Sequence, residues 1–118
     1  MQYVMELYLA LAESVNYLGL SGVQGFARPY KGEEKVPIVL LFRAYDFFQD
    51  VVESAFDSLT ALMVDISLND EELALRIVLD TSSEEAITPV IGSYSDAKLI
   101  SDEDGIIAII SLREGGAV

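Results

Sequence analysis

The stretch Leu62–Leu79, LMVDISLNDEELALRIVL, decides the fold. Leu62, Val64, Ile66 and Leu68 take every second place in its first half. Leu73, Leu75, Ile77 and Leu79 do the same in its second. A period of two is that of a strand lying with one face on a core. Asn69–Glu72, NDEE, separates the two runs and reads as the turn of a β-hairpin. A register that sets Leu68 opposite Leu73 also sets Ile66 opposite Leu75 and Val64 opposite Ile77 on the buried side. The same register sets Asp65 opposite Arg76 on the other side, an opposite-charge cross-strand pair. One register satisfies both patterns, so it is the expected one.

Downstream, Ser82 with Glu85 has the spacing of a capping box, and Ser82 is expected to start a helix. Pro89 and Gly92 limit that helix to a short turn or lid-like loop. Ala97–Ser101 (AKLIS) and Gly105–Leu112 (GIIAIISL) read as two further strands around an Asp-Gly turn. Ile106–Leu112 is apolar on both faces, which predicts a central strand. The closing EGGAV, Glu114–Val118, reads as a loose tail.

Upstream, Pro37 falls in the first turn of a helix running to about Phe56. Ile38, Leu41, Phe42, Tyr45, Phe48, Val52 and Ala55 form its expected inner face. Arg43, Asp46, Asp50, Glu53 and Asp57 form the opposite face. Met1–Leu18 also reads as a helix, with Val4, Leu7, Leu11, Val15 and Leu18 in one stripe. Tyr3, Met5, Tyr8, Leu9, Ala10 and Ala12 make most of its remainder apolar too. Such a helix is either buried or paired with a partner. The expectation is a homodimer through the Met1–Leu18 helix, with a purely internal packing role left open. It starts without a capping residue, as a chain cut from something longer would. Gly19, Gly22 and Gly25 loosen the chain. Gly22–Tyr30 (GVQGFARPY) holds room for a short strand, and Lys31–Lys35 (KGEEK) reads as a charged loop. The order predicts a single domain over residues 1–118. It is an α/β fold, an α+β two-layer sandwich, with a mixed sheet of four or five strands and helices on one face.

Composition sets bounds on function. The 118 residues are 52% hydrophobic and carry a net charge of −13. That suits one domain with a real core. The charge opposes nucleic acid and anionic membrane, which both require cationic side chains. With no Cys and no His, disulfides, thiolate zinc sites, cysteine nucleophiles and a histidine general base are excluded within the chain. Oxygen-ligand sites for magnesium or calcium remain. No apolar run approaches the ~20 residues of a membrane span, and no basic residue precedes Arg28. The expected location is cytoplasmic.

Three stretches then carry a family resemblance. Leu40–Leu59, LLFRAYDFFQDVVESAFDSL, stands on the helix before the hairpin. Val78–Glu84, VLDTSSE, ends the hairpin, and Ser101–Gly116, SDEDGIIAIISLREGG, closes the chain. Together, over Val36–Gly116, they resemble the C-terminal ATPase-like domain of sensor histidine kinases, in the GHKL or Bergerat-fold superfamily. The resemblance implies a Bergerat-like fold with a shortened ATP lid. It implies a role in two-component signal transduction, with ATP and magnesium as cofactors and a response regulator as partner. It further implies a cytoplasmic domain of a membrane-anchored sensor protein. Asp50 stands at the family's acidic catalytic and metal-binding position. Ser54 stands where the family has its magnesium-holding Asn. Asp80 matches the Asp that reads the adenine amino group. Ser82 and Glu84 stand at the two glycines that follow.

The departures matter. Ser54 lacks the amide carbonyl of Asn. Side chains at Ser82 and Glu84 block the close backbone approach that glycine allows. No Lys or Arg lies between Asp80 and Lys98 to hold phosphates, and the phosphoacceptor His is absent. The expectation is a degenerate domain that binds ATP weakly or not at all. An active Mg-ATP-binding kinase domain and a free-standing anti-sigma-like interaction module are the alternatives. Each site residue also has a plainer role. Asp50 and Ser54 suit a solvated helix face, and Asp80 suits a strand end. Thr81, Ser82 and Ser83 suit helix capping. A general acid and base role for Asp50 with Glu53, as in glycosidases, lacks the cleft and the aromatic platform that chemistry uses.

Overall fold

The computed structural model describes residues 1–115. Its elements run β1 (Gln2–Tyr3), α1 (Val4–Leu18), β2 (Gln24–Ala27), β3 (Lys35–Val36), α2 (Ile38–Ala55), β4 (Ala61–Asn69), β5 (Glu72–Asp80), α3 (Glu84–Gly92), β6 (Ala97–Asp102) and β7 (Gly105–Leu112). The last three residues of the expected tail, 116–118, lie outside the described residues, as does the end of the Val36–Gly116 resemblance. β4 and β5 pair in the expected register, Leu68 with Leu73, Ile66 with Leu75, Val64 with Ile77 and Asp65 with Arg76. The sheet has five strands in the order β2-β4-β5-β7-β6. β2 runs parallel to β4 and the other neighbours are antiparallel, so the sheet is mixed. β7 lies between β5 and β6, as its two apolar faces require.

Alternation places the core on one side of the sheet. Leu73, Leu75, Ile77 and Leu79 of β5 are buried, as are Ile106, Ala108, Ile110 and Leu112 of β7. The three helices cover that side: α2 packs on β5 and β7, α1 on β2, and α3 on β6. The fold is the expected two-layer sandwich.

Four details differ from the sequence expectation. The first helix begins at Val4, because Gln2 and Tyr3 pair with Val36 and Lys35 in a separate two-stranded sheet. Tyr3 supplies no side-chain cap, and the Val4 N–H donates instead to the Glu34 carbonyl at 3.0 Å. The inner face of α2 holds Leu41, Phe48, Val52 and Ala55 as expected but is shifted to one side. Leu40, Ala44, Phe47 and Val51 are buried, whereas Phe42 is 60% exposed and Ile38 44%. The cause is α3, which packs against α2 and takes up the Phe47 side. α3 itself is a nine-residue helix with Pro89 inside it. Proline there forfeits one helical hydrogen bond, while Ile87 and Ile91 are buried in return. Ser83 and not Ser82 is the residue before its first turn, and Ser83 makes no side-chain cap.

Two turns carry unusual backbone. Gly105 has φ +136, and a Cβ there would stand 2.8 Å from the Leu79 carbonyl oxygen; only glycine fits. In the β4–β5 turn, Asp70 and Glu71 have φ 50 and 66. Both central residues are left-handed, the geometry of the two-residue turn that favours Asn-Gly. Glutamate is strained there. Replacing Asp70-Glu71 by Asn-Gly is therefore expected to raise stability by about 1 kcal/mol, measured as a higher midpoint in urea at unchanged slope.

Candidate functional site

α2 presents Asp50 and Ser54 one turn apart. The Tyr94 hydroxyl donates a hydrogen bond to Asp50 Oδ2 at 2.5 Å. Tyr94 follows α3, and its ring meets Phe47 edge-on with centroids 5.2 Å apart. Two turns before Asp50, Arg43 donates to Asp96 Oδ2 at 3.1 Å. The acidic face of α2 is thus clasped by the segment after α3 at two points. Ser54 Oγ donates to the Val51 carbonyl of its own helix at 2.7 Å. This is the back-bonding typical of serine within a helix.

Asp80 ends β5 opposite Ala61. Its carbonyl accepts from the Thr60 N–H at 3.0 Å and from Thr60 Oγ1 at 3.1 Å. Its side chain lines an open cleft of about 360 Å³ with Ser82, Glu84, Asp102, Glu103 and Asp104. The Ser82 N–H donates to Ser58 Oγ at 3.2 Å. Ser58 Oγ also shares hydrogen bonds with Thr81 Oγ1 and Ser83 Oγ. These hydroxyls tie the turn after α2 to the start of α3. Glu84 is the first residue of α3, where the helix dipole favours a carboxylate.

The five sequence-derived residues therefore fall into two groups. Asp80, Ser82 and Glu84 surround one cleft, whose lining includes neither Asp50 nor Ser54. Among the described residues, no group of three or more acidic side chains is placed to hold a metal ion. Tyr94 was expected, with Glu84 and Ile87, as a filler of the pocket beside Asp80, whose lining does not include it; its bond to Asp50, Ser58 and the Arg43–Asp96 pair went unread in the sequence. Arg43, the one cation on an acidic helix face, was the available signal for a partner beyond the helix. Tyr94 gave none, because its meeting with Asp50 spans 44 residues.

No family model matches the chain, and no curated protein matches it. Among solved structures, it is similar to one described as the structure of the cytoplasmic segment of histidine kinase QseC. The identity is 12%, the likeness covers 92% of this chain and 70% of that one, and the TM-score is 0.47. A likeness at this level carries no argument about function.

Burial first, and then the bond to Asp50 with its negative charge, raises the Tyr94 pKa well above the ordinary 10.0. Above that ordinary value the unfolded chain releases the Tyr94 proton while the folded chain keeps it. The stability tied to this phenol is full below pH 10 and falls as pH rises beyond it. Tyr94→Phe is expected to flatten the fall. Urea titrations of both chains between about pH 8 and about pH 11 measure the difference in slope.

Proposed function

We propose that the chain is the C-terminal ATPase-like domain of a sensor histidine kinase, with a degenerate nucleotide site and weak or no ATP binding. Its work is then to hold a partner or pass on a conformational signal in two-component signalling. The observation that carries this reading is the clasp on α2. Asp50, at the position of the family's acidic residue, is occupied by the Tyr94 hydroxyl. Ser54, at the metal-holding position, is turned onto its own helix.

The cleft at Asp80 supports the same reading. Besides Asp80 it is lined by Glu84, Asp102, Glu103 and Asp104. A triphosphate entering there meets five carboxylates among neutral residues such as Thr81 and Ser101, with no cation between Asp80 and Lys98 to offset them. Glu84 adds a carboxylate and a Cβ where the family's glycine lets backbone approach the nucleotide. Carboxylates are magnesium ligands by type, but among the described residues no three are placed to hold one ion, and no cation lines the cleft to take the phosphates, so no catalytic step is assigned to them.

By the same resemblance, the partners are a response regulator and a second copy of the chain, within a membrane-anchored sensor's cytoplasmic part. For the second copy, the outer side of α1 is one surface on offer: Leu9 is 56% exposed and Tyr17 72%. No helix of the described residues is long and apolar enough to cross a membrane.

Isothermal titration with Mg-ATP tests the degenerate site. The expected result is no heat of binding, or a dissociation constant weaker than about 100 μM. Tighter binding would favour the active kinase domain instead. A Tyr94→Phe chain that gains affinity for Mg-ATP would identify the clasp as the block.

A further inference from the structure

The side of the sheet away from the helices is more apolar than a solvated face requires. Phe26 pairs with Met63, Met63 with Val78, Val78 with Ile107, and Ile107 with Ile100. These five residues form one row across all five strands, at right angles to the chain direction. Phe26 is 54% exposed and Ile100 42%, and the other three are half-buried. Open antiparallel faces ordinarily alternate to polar residues, and a continuous exposed apolar band marks an interaction surface.

The charges beside the row are sorted by sign on β5 and β6, while on β4 Asp65 stands in the flank of Arg76, its cross-strand partner. On one flank, Arg76 pairs with Ile109 and Ile109 with Lys98, two cations in a chain of net charge −13. On the other flank stand Asp80 and Asp102, the last residues of β5 and β6. Each charge lies two residues from the row. Arg76 and Asp80 bracket Val78, and Lys98 and Asp102 bracket Ile100. Side chains two apart on a strand share a face, so β5 and β6 each carry a plus–apolar–minus triplet.

We propose that this face seats a second copy of the chain, related by a two-fold axis running along the apolar row. Rotation about that axis lays the row of one copy on the row of the other. It also turns each basic flank onto the acidic flank of the same strand. Lys98 then faces Asp102 of the partner subunit, and Arg76 faces Asp80 of the partner subunit. The strands of the two sheets run aligned and opposed, the packing of a β-sandwich. A two-fold crossing the row would instead lay basic flank on basic flank, so the charges select one orientation. The net charge of each copy does not forbid this, because repulsion between distant charges is screened beyond about 8 Å at physiological salt. The interface is isologous, so it closes as a dimer and goes no further.

Sedimentation equilibrium from about 1 to about 200 μM tests it. The expected result is a concentration-dependent dimer, lost in Ile107→Lys and kept in Leu9→Lys, which alters the outer side of α1. Lys98→Glu alone and Asp102→Lys alone are each expected to weaken dimerisation roughly tenfold. Both together should restore it, because two-fold symmetry sets each reversed charge against the other. Both residues are exposed, but Asp102 Oδ1 accepts the Asp104 N–H at 2.8 Å in the β6–β7 turn, so circular dichroism checks that each variant keeps the fold. A chain monomeric throughout the range overturns the proposal. So does a dimer that Leu9→Lys abolishes and Ile107→Lys spares, or a double variant that stays as weak as the single ones. Asp102 also lines the Asp80 cleft, so sedimentation is read without nucleotide and the Mg-ATP titration is made on the unsubstituted chain, which keeps the failure of one distinguishable from the failure of the other.

Discussion

The register of β4 on β5 is the constraint on which the rest depends. A strand slipped by one residue turns every side chain to the other face. With Val64 opposite Ile77, the leucines and isoleucines of both strands point at the helices. The next row puts Asp65 opposite Arg76 on the outside. A slip would bury those two charges and expose Leu75 and Ile77, at a cost far beyond a small domain's net stability. The turn yields to this demand. Asp70 and Glu71 accept a left-handed backbone that neither favours, since any other loop length would move the register.

From this hairpin the sheet grows both ways, and its two faces meet different fates. The inner face collects α1, α2 and α3. It is closed not only by apolar packing but by polar contacts at the rim: Tyr94 on Asp50, Arg43 on Asp96, and Ser58 among Thr81 and Ser83. Each joins α2 or the turn after it to the segment around α3. The outer face has no covering layer among the described residues, yet β7 is apolar on that side as well. Ile107 and Ile109 stay partly exposed on it. A strand with two apolar faces is explained by its central place in the sheet only in part, because β5 is equally central and alternates with charge at Arg76 and Asp80.

Legibility followed the range of the interactions. The hairpin was readable because its pattern has period two and its pairs lie within 20 residues. The strands β6 and β7 followed from the same pattern and an Asp-Gly turn. The inner face of α2 was misjudged because the helix is apolar at too many positions. Ile38 and Phe42 fit a stripe as well as Leu40 and Ala44 do, and only the docking of α3 on the Phe47 side chooses between them. α3 was underestimated because Pro89 is a strong local signal, and the burial of Ile87 and Ile91 that outweighs it is tertiary. The site residues were legible as positions and not as contacts. Asp50 and Ser54 lie where spacing put them, but what each bonds depends on Tyr94 and on the helix's own carbonyls.

The same clasp separates two meanings of an acidic helix face. A carboxylate in water is free to take a cation at little cost. A carboxylate whose Oδ2 accepts a phenol O–H still offers Oδ1, and a ligand that needs both oxygens must displace the phenol to water. A phenol of ordinary pKa 10.0 is already protonated in the neutral range, so Tyr94 is a donor there, and its raised value extends that to more alkaline pH. Asp50 is therefore a structural acceptor first, and a ligand that needs both its oxygens competes with the fold for it. On a chain of net charge −13, tying Asp50 and Asp96 to donors on neighbouring elements also relieves repulsion along the crowded α2 surface. The acidic stripe is then both a wet face and a set of anchors, and the anchors lie where the resemblance puts the nucleotide.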